Sequence, residues 1–374
     1  MKIIYIINAR IPTEKAHGYQ ICKMCEQFAE AGAEVELWVP TRKNEIKQDL
    51  FSFYGLLRNF KIEKILSMDF LQLEKYLGRL SLVLQKIFFL VRLLLKKMNQ
   101  DALIYTRDPE IAWLFTVRGY KVAYEAHIWP KQSGCLNRCL LKKVNYFIVI
   151  TQGVKEAFLK NSFSLQNILV APDGVDLERF DINLSKEDAR SRLSLPLNEK
   201  IVVYTGHLYS WKGADVLAEA ALLLPQDVKV YLIGGTRKDV EMFRNKYKMP
   251  NLHIVGHRQL REMPVWLKAA DVLVLPNKKG EEISEKYTSP LKLFEYMASK
   301  RPIVASSLSS IKEILTDDNS ILVTPNDPAE LAKGIKQSLS NQDLSGRIST
   351  RAFQDAQQYG WQKRAEGILR YIKY

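Results

Sequence analysis

The sequence contains few cysteines and no long apolar run. Its 374 residues include 4 cysteines, and a chain of this length buries a core without disulfides, which suits a reducing compartment. No stretch reaches about 18 uncharged apolar residues, so no transmembrane helix is predicted. The opening residues 1–8 have a short apolar run without a small-residue cleavage site. They predict a strand rather than a signal peptide.

The cysteine spacing raises a zinc site as an alternative. Cys22 and Cys25 form a CxxC pair, and Cys135 and Cys139 form a CxxxC pair. A zinc site would require the two pairs to meet across about 110 residues. Because Cys22 and Cys25 lie three positions apart on a predicted helix, both can face the core, where free cysteine is common. We therefore expect no metal site.

Negative charge is scarce relative to positive charge. The chain has 55 Lys or Arg and 41 Asp or Glu, a net charge of +14. Residues 41–100 alone contain 12 basic and 5 acidic residues, half of this excess. The balance favours nucleotides, nucleic acid or an anionic membrane as partners. No basic patch interleaved with aromatic residues occurs, so we expect no nucleic-acid partner.

Short apolar strands alternate with helices along both halves of the chain. Strands are predicted at residues 2–8, 34–40, 103–105, 121–125, 146–151, 167–171, 201–205, 228–234, 252–255, 271–275, 302–306 and 321–323. Such alternation predicts βαβ units, here two doubly wound α/β domains with parallel sheets. Ligands of these folds bind beyond the carboxyl ends of the strands, so we expect the site in the cleft between the domains.

The domain organisation follows from these two series. We place the first domain at residues 1–180, the second at 181–355, and a C-terminal helix that returns to the first domain at 356–374. A polar connector with one short helix is expected between residues 176 and 200. The first helix is predicted from Tyr19 to Ala31, ended by Gly32 in a left-handed cap.

A basic and apolar helical segment stands apart in the first domain, at about residues 50–98. Gly78–Lys97 contains five basic residues and no acidic residue, with apolar residues nearly all round the predicted helix. Two interpretations stay open. The helix packs into the first domain, or it lies on an anionic membrane surface near a lipid-linked acceptor, with residues 41–100 forming the contact surface.

Two stretches of the second domain have residues suited to phosphate binding. In Thr205–Gly213, Gly206 allows a tight turn, and Lys212 would lie near a helix N-terminus that favours an anion. The alternative is a plain turn with a surface lysine. In Tyr287–Ala298, Pro290 suits the first helical turn and Ser289 its N-cap.

Two further side chains lie where they could contact a sugar or a ribose. Glu295, about one and a half turns into the second helix, is either a paired carboxylate or an acceptor for a ribose diol. His127 ends a predicted strand of the first domain, where it could bond a sugar or a developing charge. A structural histidine is the alternative.

Together these stretches resemble the retaining glycosyltransferases of family 4, also called glycosyl transferases group 1. That family has the GT-B fold, two facing Rossmann-like domains with the donor site in the interdomain cleft. The resemblance covers nearly the whole chain and is carried by Asn8–Gly18, Tyr105–Pro109, Glu125–His127, Ala171–Asp176, Gly206–Gly213, Leu252–His257, Glu262–Leu275, Ser289–Pro302 and Tyr359–Trp361. Their shared order and spacing is more specific than any one of them.

The resemblance implies a hexosyltransferase that moves a sugar from a UDP or GDP donor to a hydroxyl with retention and without a metal. It implies catalytic roles for His127, Lys212 and Glu295. The donor-binding residues it implies are Gly18, Gly206, His207, His257, Tyr287, Ser289, Pro290, Leu291, Lys292 and Glu295. The acceptor would be a glycan or a lipid-linked oligosaccharide in bacterial-type cell-surface assembly. We expect a cytoplasmic protein, peripheral on the inner face of the membrane.

Two positions depart from the family pattern. A glutamate eight residues before Glu295 is usual, but Tyr287 stands there, so Glu282 or Glu285 would have to substitute. His207 stands where the family usually has an arginine. A single hydrogen bond from a neutral side chain would therefore replace the charged, bidentate hydrogen bonds of a guanidinium. These departures favour a catalytically inactive GT-B partner subunit as the alternative. A GT-B nucleotide-sugar epimerase is a further alternative, although the first domain lacks an obvious acid–base carboxylate pair.

Overall fold

The computed structural model describes residues 1–129, 134–161, 163–164 and 168–373. It divides the chain into two compact units. The first comprises Met1–Ile150, Val154–Pro172 and Trp361–Tyr374, and the second comprises Thr151–Gly153 and Asp173–Gly360. The last helix of the chain therefore belongs to the first unit.

The first unit contains a seven-stranded parallel sheet in the order β3-β2-β1-β4-β5-β6-β7. The strands are β1 (Lys2–Ile6), β2 (Glu34–Pro40), β3 (Lys61–Ile65), β4 (Leu103–Thr106), β5 (Val122–Ala126), β6 (Tyr146–Val149) and β7 (Ile168–Val170). The helices up to the end of β7 are α1 (Ala16–Glu30), α2 (Leu50–Tyr54), α3 (Glu74–Leu77), α4 (Arg79–Leu94), α5 (Pro109–Val117), α6 (Gly134–Leu141) and α7 (Gln152–Lys160).

The second unit contains a six-stranded parallel sheet in the order β10-β9-β8-β11-β12-β13. The strands are β8 (Lys200–Thr205), β9 (Val228–Ile233), β10 (Leu252–Gly256), β11 (Val272–Leu275), β12 (Ile303–Ser306) and β13 (Ile321–Val323). The remaining helices are α8 (Leu177–Phe180), α9 (Lys186–Arg192), α10 (Ala214–Ala221), α11 (Arg237–Lys246), α12 (Met263–Ala269), α13 (Leu291–Ala298), α14 (Ser309–Lys312), α15 (Pro328–Ser340), α16 (Gln342–Ala356) and α17 (Trp361–Lys373).

Both faces of the second sheet are buried, as a doubly wound fold requires. Alternate residues of β8 and β11 enter two separate cores: Val202 and Val272 pack on one face, and Val203 and Leu273 on the other. This explains why these strands read as continuous apolar runs in the sequence. In the first unit, α17 packs against α1, where the rings of Tyr19 and Trp361 meet.

The predicted strands are confirmed to within two residues at each end, and Asn167 lies outside the described residues. The sequence analysis did not predict β3, because only Ile65 of this charged edge strand is buried. The first helix begins at Ala16, three residues earlier than predicted, and Gly32 follows it with a positive φ of 85° as expected. The connector holds two short helices, α8 and α9, rather than one.

The cysteines occupy two different environments within the first unit. Cys22 and Cys25 are wholly buried in α1, and burial raises the pKa of both thiols. Cys135 and Cys139 are exposed on α6. Over the described residues there is no cluster of three or more potential metal ligands. The cysteines of α1 are core residues, as expected.

A search of the described helices finds none that is both long and apolar enough to cross a bilayer.

Asp271, just before β11, ties the connector to the second sheet. Its carboxylate accepts hydrogen bonds from Lys186 Nζ (2.8 Å), an Arg190 guanidinium nitrogen (2.6 Å) and the Ile201 backbone N–H (2.7 Å). Burial acts to raise the pKa of Asp271, but these bonds and the charge of Arg190 bring it below its usual value. The ionised carboxylate therefore stabilises the fold.

We predict that Asp271→Asn lowers the free energy of unfolding by about 3 kcal/mol, because it leaves the buried Arg190 without its counter-ion. Urea denaturation of the variant and of Asp227→Asn, on an exposed turn, makes the comparison. Since the pKa of Asp271 is lowered in the folded state, wild type should lose this stabilisation as the pH falls through that pKa, whereas the variant should not. Equal stability of the two variants would contradict the assignment.

Candidate functional site

The two stretches singled out in the second domain meet at the carboxyl end of β8. The Tyr296 hydroxyl of α13 accepts a hydrogen bond from the Thr205 backbone N–H (2.8 Å) and lies 3.1 Å from Thr205 Oγ1. This contact holds α13 against the last residue of β8. As a result, Lys292, in the first turn of α13, lies beside Gly206.

Lys292 is a buried lysine whose amino group has no hydrogen-bonded counter-ion among the described residues. Its side chain is buried, and Nζ lies 3.7 Å from the centroid of the Tyr204 ring. Nζ has no hydrogen-bond partner among the residues that the structure describes. Burial, and then repulsion by Lys212, lowers the pKa of Lys292 well below its usual value. An anion at this place would relieve both effects.

Lys212 supplies the second cation of this cluster. It ends the 3-10 turn Ser210–Lys212, with Nζ 5.2 Å from the nearer ring centroid of Trp211 and 5.4 Å from that of Tyr209. Burial lowers its pKa to about 8. Lys212 is therefore a partly buried group that repels Lys292, rather than a solvated lysine on a plain turn.

Gly206 shapes the backbone between β8 and these lysines. Its φ is +128°, a conformation that residues with a side chain rarely adopt. A Cβ added at Gly206 would lie 3.6 Å from Lys292 Nζ. The loop thus places backbone without a side chain next to the buried amino group of Lys292. This arrangement suits the close approach of a phosphate.

The start of α13 differs from the sequence expectation. The helix begins at Leu291, with Pro290 at the N-cap position, so Ser289 is not the N-cap. The Ser289 hydroxyl instead accepts a hydrogen bond from the Asp173 backbone N–H (3.0 Å). No side chain caps α13, and the Leu293 N–H donates to the Pro290 carbonyl (2.9 Å), so the N–H groups that could serve an anion beside Lys292 are those of Leu291 and Lys292.

Glu295 lies on α13 one turn beyond Lys292. Burial raises the pKa of Glu295 to about 7, although Arg179 and Lys292 act to lower it. Near neutral pH the carboxyl group is thus divided between its acid and ionised forms. It can accept from a diol in one form and donate in the other. The Glu295 carboxyl group has no hydrogen-bond partner among the described residues.

Tyr287 ends a π-helical turn, Ile283–Tyr287, and contacts a carboxylate. Its hydroxyl donates to Glu282 Oε2 (3.2 Å), and burial, with the charge of Glu282, raises the pKa of Tyr287 to about 12. The Glu285 side chain accepts a hydrogen bond from the Gly280 backbone N–H (2.7 Å), within the same loop. Of the two glutamates considered as substitutes at position 287, Glu282 is the one held by Tyr287.

The two histidines predicted for the second domain lie apart along the sheet edge. His207 stacks on Tyr209, with ring centroids 5.0 Å apart, and its backbone carbonyl accepts from the Tyr204 hydroxyl. His257 follows β10, is exposed, and lies two strands away from β8. The structure joins His207, but not His257, to the Gly206 loop.

A buried network forms at the carboxyl end of β5 in the first unit. Glu125 accepts from Arg107 (2.6 Å), lies 2.8 Å from His127 Nε2, and also contacts Arg364 (3.3 Å) and the Tyr105 hydroxyl. Burial acts to raise the pKa of Glu125, but Arg107 and Arg364 hold it well below its usual value. Glu125 is therefore ionised, and its charge is fully paired.

This network fixes the state of His127. Burial and Arg107 lower its pKa to about 4, so the ring is neutral at pH 7. Because an ionised Glu125 only accepts, Nε2 carries the proton of the neutral ring, and Nδ1 presents a lone pair. About 30% of the His127 side chain is exposed. His127 can thus accept from a sugar hydroxyl, but it is not a cation for a developing negative charge.

Gly18 lies inside α1 rather than in the loop before it. A Cβ there would lie 2.2 Å from the Tyr54 hydroxyl oxygen and 2.5 Å from Thr13 Cγ2. The Tyr54 hydroxyl in turn accepts from the backbone N–H of Thr13 and donates to its carbonyl, both at 2.8 Å. The absence of a side chain at Gly18 lets this clamp fix the loop that follows β1.

Two residues at these sheet edges were missed by the sequence analysis. Asn277 follows β11, is wholly buried, and neither of its amide atoms has a hydrogen-bond partner among the described residues. His17 lies in the first turn of α1, where burial and then Arg107 lower its pKa to about 4. For Asn277 the available signal was its position just after a buried strand, but asparagine is not distinctive there; the sequence offered no comparable signal for His17.

Comparison with known proteins finds a family match in the second unit. Residues 199–341 match the family described as glycosyl transferases group 1. This match lies within the second unit. The D-inositol 3-phosphate glycosyltransferase of Xylanimonas cellulosilytica is 28% identical over 218 residues, which cover 55% of this chain and 51% of that protein. The chain thus matches about half the length of such curated relatives.

Solved structures of similar fold cover the whole chain. HepE of Anabaena, solved with UDP-glucose, has a TM-score of 0.78 at 18% identity over 100% of this chain and 99% of that one. Sucrose-phosphate synthase of Thermosynechococcus elongatus has a TM-score of 0.76 at 19% identity, over 100% and 98%. With two parallel-sheet α/β units, the GT-B fold class is confirmed.

The tautomer of His127 can be measured directly. We predict that nitrogen-detected NMR shows neutral Nε2–H imidazole at pH 7 and no titration of His127 until about pH 4. The chain has 5 histidines, so a His127→Gln variant assigns the signal. A titration near the usual histidine pKa, or an Nδ1–H tautomer, would contradict the role given to Glu125.

The pKa of Lys212 predicts a pH dependence of diphosphate binding. The ammonium is charged below about pH 8, and a bound anion would raise its pKa. We therefore expect the affinity for a nucleoside diphosphate to fall as the pH rises above 8, with proton uptake on binding. Calorimetry in buffers of different ionisation enthalpy measures this uptake. Lys212→Arg should bind with a smaller decline above pH 8, and an equal decline would be contrary evidence.

Proposed function

We propose that the chain is a retaining glycosyltransferase that moves a hexosyl group from a nucleoside diphosphate to a hydroxyl acceptor. The observation that carries this proposal is the pair of lysines, Lys212 and Lys292, at the carboxyl end of β8, neither of which forms an ion pair within the described part of the chain. A diphosphate supplies the negative charge that this pair lacks. The family match in the second unit and the names of the relatives support the same chemistry.

The proposed reaction makes one bond and breaks one bond at the anomeric carbon. The bond from that carbon to the diphosphate oxygen breaks, and a bond to the acceptor oxygen forms on the same face. The acceptor proton passes to the leaving diphosphate. Negative charge develops on the leaving group, and Lys212, Lys292 and the N–H groups at the start of α13 would stabilise it more strongly than the bound donor.

Glu295 and His127 would hold hydroxyl groups rather than exchange protons with the reacting carbon. We assign Glu295 to the ribose diol, because it lies one turn beyond Lys292 and carries no other bond among the described residues. We assign His127 Nδ1 to a hydroxyl of the sugar or of the acceptor. Both contacts position substrate, and positioning contributes strongly to transfer reactions.

No divalent metal is needed in this scheme. Two lysines and a helix N-terminus supply positive charge where a metal ion would otherwise neutralise the diphosphate. Lys212 and Lys292 also repel each other, so a further cation at the same place would be opposed unless the diphosphate arrived with it. We therefore propose turnover in the presence of a chelator.

The donor and acceptor are proposed by class. UDP or GDP would carry the sugar. The HepE structures with UDP and UDP-glucose favour UDP over GDP. Glu282, oriented by the Tyr287 hydroxyl, would contact the sugar in place of a glutamate at position 287. The acceptor would be a glycan or a lipid-linked oligosaccharide of cell-surface assembly, reached by a peripheral protein at the cytoplasmic face of the membrane.

Release of nucleoside diphosphate from UDP-glucose or GDP-mannose, with a panel of glycan and lipid-linked acceptors, tests the proposal. We predict that Glu295→Ala lowers kcat/KM by at least about tenfold, since it removes a donor contact. Glu241→Ala, an exposed glutamate of α11, is the matched control and should leave kcat/KM unchanged.

Three outcomes would contradict the proposal or one of its parts. Unchanged kinetics of Glu295→Ala would remove the role of that residue. Nucleotide binding without turnover on any acceptor would favour a catalytically inactive partner subunit. An epimerised nucleotide sugar, formed without acceptor, would assign the chain to the epimerases of this fold.

A further inference from the structure

Helix α4 has polar residues on the first half of its buried face and a row of apolar residues on its exposed face. The stripe buried against the first unit is Ser81, Gln85, Phe89 and Leu93, at four-residue spacing. Its first half is polar: Ser81 Oγ donates to the Gly78 carbonyl (2.7 Å) and Gln85 Nε2 to Ser67 Oγ. A surface helix of a globular protein ordinarily shows the reverse arrangement.

The opposite side of α4 is a continuous apolar stripe. Five residues, spaced three or four apart and therefore on one helical face, are each about half exposed: Leu80 (53%), Val83 (48%), Ile87 (53%), Val91 (47%) and Leu94 (51%). Leu82 (47%) and the C-cap residue Leu95 (70%) are also exposed. We call these five residues the outer stripe. The helix is about 24 Å long, so the outer stripe extends over some four turns.

Positive charge flanks the outer stripe, and negative charge is absent from the segment. Between residues 79 and 97 there are five basic residues and no acidic one. Arg79 and Lys86 lie along one flank of the stripe by helical spacing, and Lys97 follows the end of the helix. Lys86 pairs with Glu110, whereas Arg79 and Lys97 have no ion pair among the described residues.

The neighbouring helix α5 extends the same apolar surface. It is joined to α4 by the Lys86–Glu110 ion pair and by Arg118, which donates to the carbonyls of Leu93 and Lys96 (both 3.0 Å). Between these two ties, α5 exposes two apolar side chains one turn apart, Trp113 (44%) and Val117 (60%). Tryptophan is characteristic of the boundary between headgroups and acyl chains.

We propose that the outer stripe of α4, with Trp113 and Val117 of α5, docks in the plane of an anionic lipid surface. The apolar side chains would enter the boundary between headgroups and acyl chains, while Arg79, Lys86 and Lys97 contact lipid phosphates. With 16 residues the helix is shorter than the roughly 20 that a transmembrane helix needs, so in this proposal it would lie parallel to the surface. This orientation makes use of the outward apolar face that packing within the unit leaves uncovered.

Charge selects lipid over a second copy of this chain as the occupant. Residues 41–100 carry 12 basic and 5 acidic residues, so two copies meeting through this face would bring like charges together. An anionic bilayer satisfies the apolar stripe and the basic flank at once. The inference does not rest on the proposed transferase activity, because no residue of the donor site takes part.

Co-sedimentation of the whole chain with vesicles tests the inference without nucleotide or acceptor. We expect binding to phosphatidylcholine mixed with phosphatidylglycerol at low salt, and much weaker binding to phosphatidylcholine alone or at high salt. The double variant Val83→Ser, Ile87→Ser should bind at least about tenfold more weakly. Its matched control is Leu222→Ser, Leu223→Ser on an exposed turn of the second unit, which should bind as wild type does.

The basic flank is tested separately from the apolar stripe. Arg79→Gln with Lys97→Gln should weaken vesicle binding by about fivefold for each charge removed. Lys333→Gln with Lys336→Gln, on α15, removes the same charge elsewhere and should have a smaller effect. Because every changed side chain is exposed, thermal unfolding should stay at the wild-type midpoint for all variants.

Three results would overturn the inference. The first is the absence of sedimentation with anionic vesicles at low salt. The second is equal loss of binding in the stripe and control variants, which would assign binding to net charge alone. The third is a dimer in solution that Val83→Ser, Ile87→Ser dissociates, with no vesicle binding by wild type. That result would assign the outer stripe to a second copy of the chain.

Discussion

Two lysine side chains, one buried and one partly buried, lie close enough to repel each other, and the second unit's site depends on this constraint. Lys292 is buried against Tyr204, and Lys212 approaches it from the turn after Gly206. The bond between Tyr296 and Thr205 keeps α13, and with it Lys292, at this place. The fold therefore carries an unfavourable charge arrangement that Glu295 offsets in part and that a bound anion would relieve, and strongly shifted pKa values of this kind cluster at functional sites.

The first unit shows the opposite arrangement at the same edge of its own sheet. There a buried carboxylate, Glu125, is satisfied by Arg107 and Arg364, so the charge is balanced without a ligand. In this network the Nδ1 lone pair of the neutral His127 ring remains available to accept a hydrogen bond. A balanced site offers directional hydrogen bonds to uncharged hydroxyls, whereas an unbalanced site attracts a charged group. The site of the first unit thus suits an uncharged hydroxyl, and the site of the second unit suits an anionic group.

The sequence predicted most of the fold, because buried parallel strands are apolar on both faces and stand out as short Ile- and Val-rich runs. It could not reveal β3, an edge strand whose charged residues face solvent. At the site it identified Lys212, Lys292 and His127, but not their charge states, which depend on burial and on distant partners such as Arg364. The helix start at Leu291 and the buried Asn277 likewise depend on contacts between segments far apart in the chain.

Calorimetric titration of wild type and Lys292→Met with UDP, GDP and ADP decides whether the lysine pair is a diphosphate site. Methionine keeps an apolar stem over Tyr204 and removes the charge. We predict that one nucleotide binds wild type in the micromolar range, that the variant binds it at least about a hundredfold more weakly, and that the variant unfolds at the same or a higher temperature. Undiminished binding by Lys292→Met, or no binding of any of the three nucleotides by wild type, would contradict this assignment.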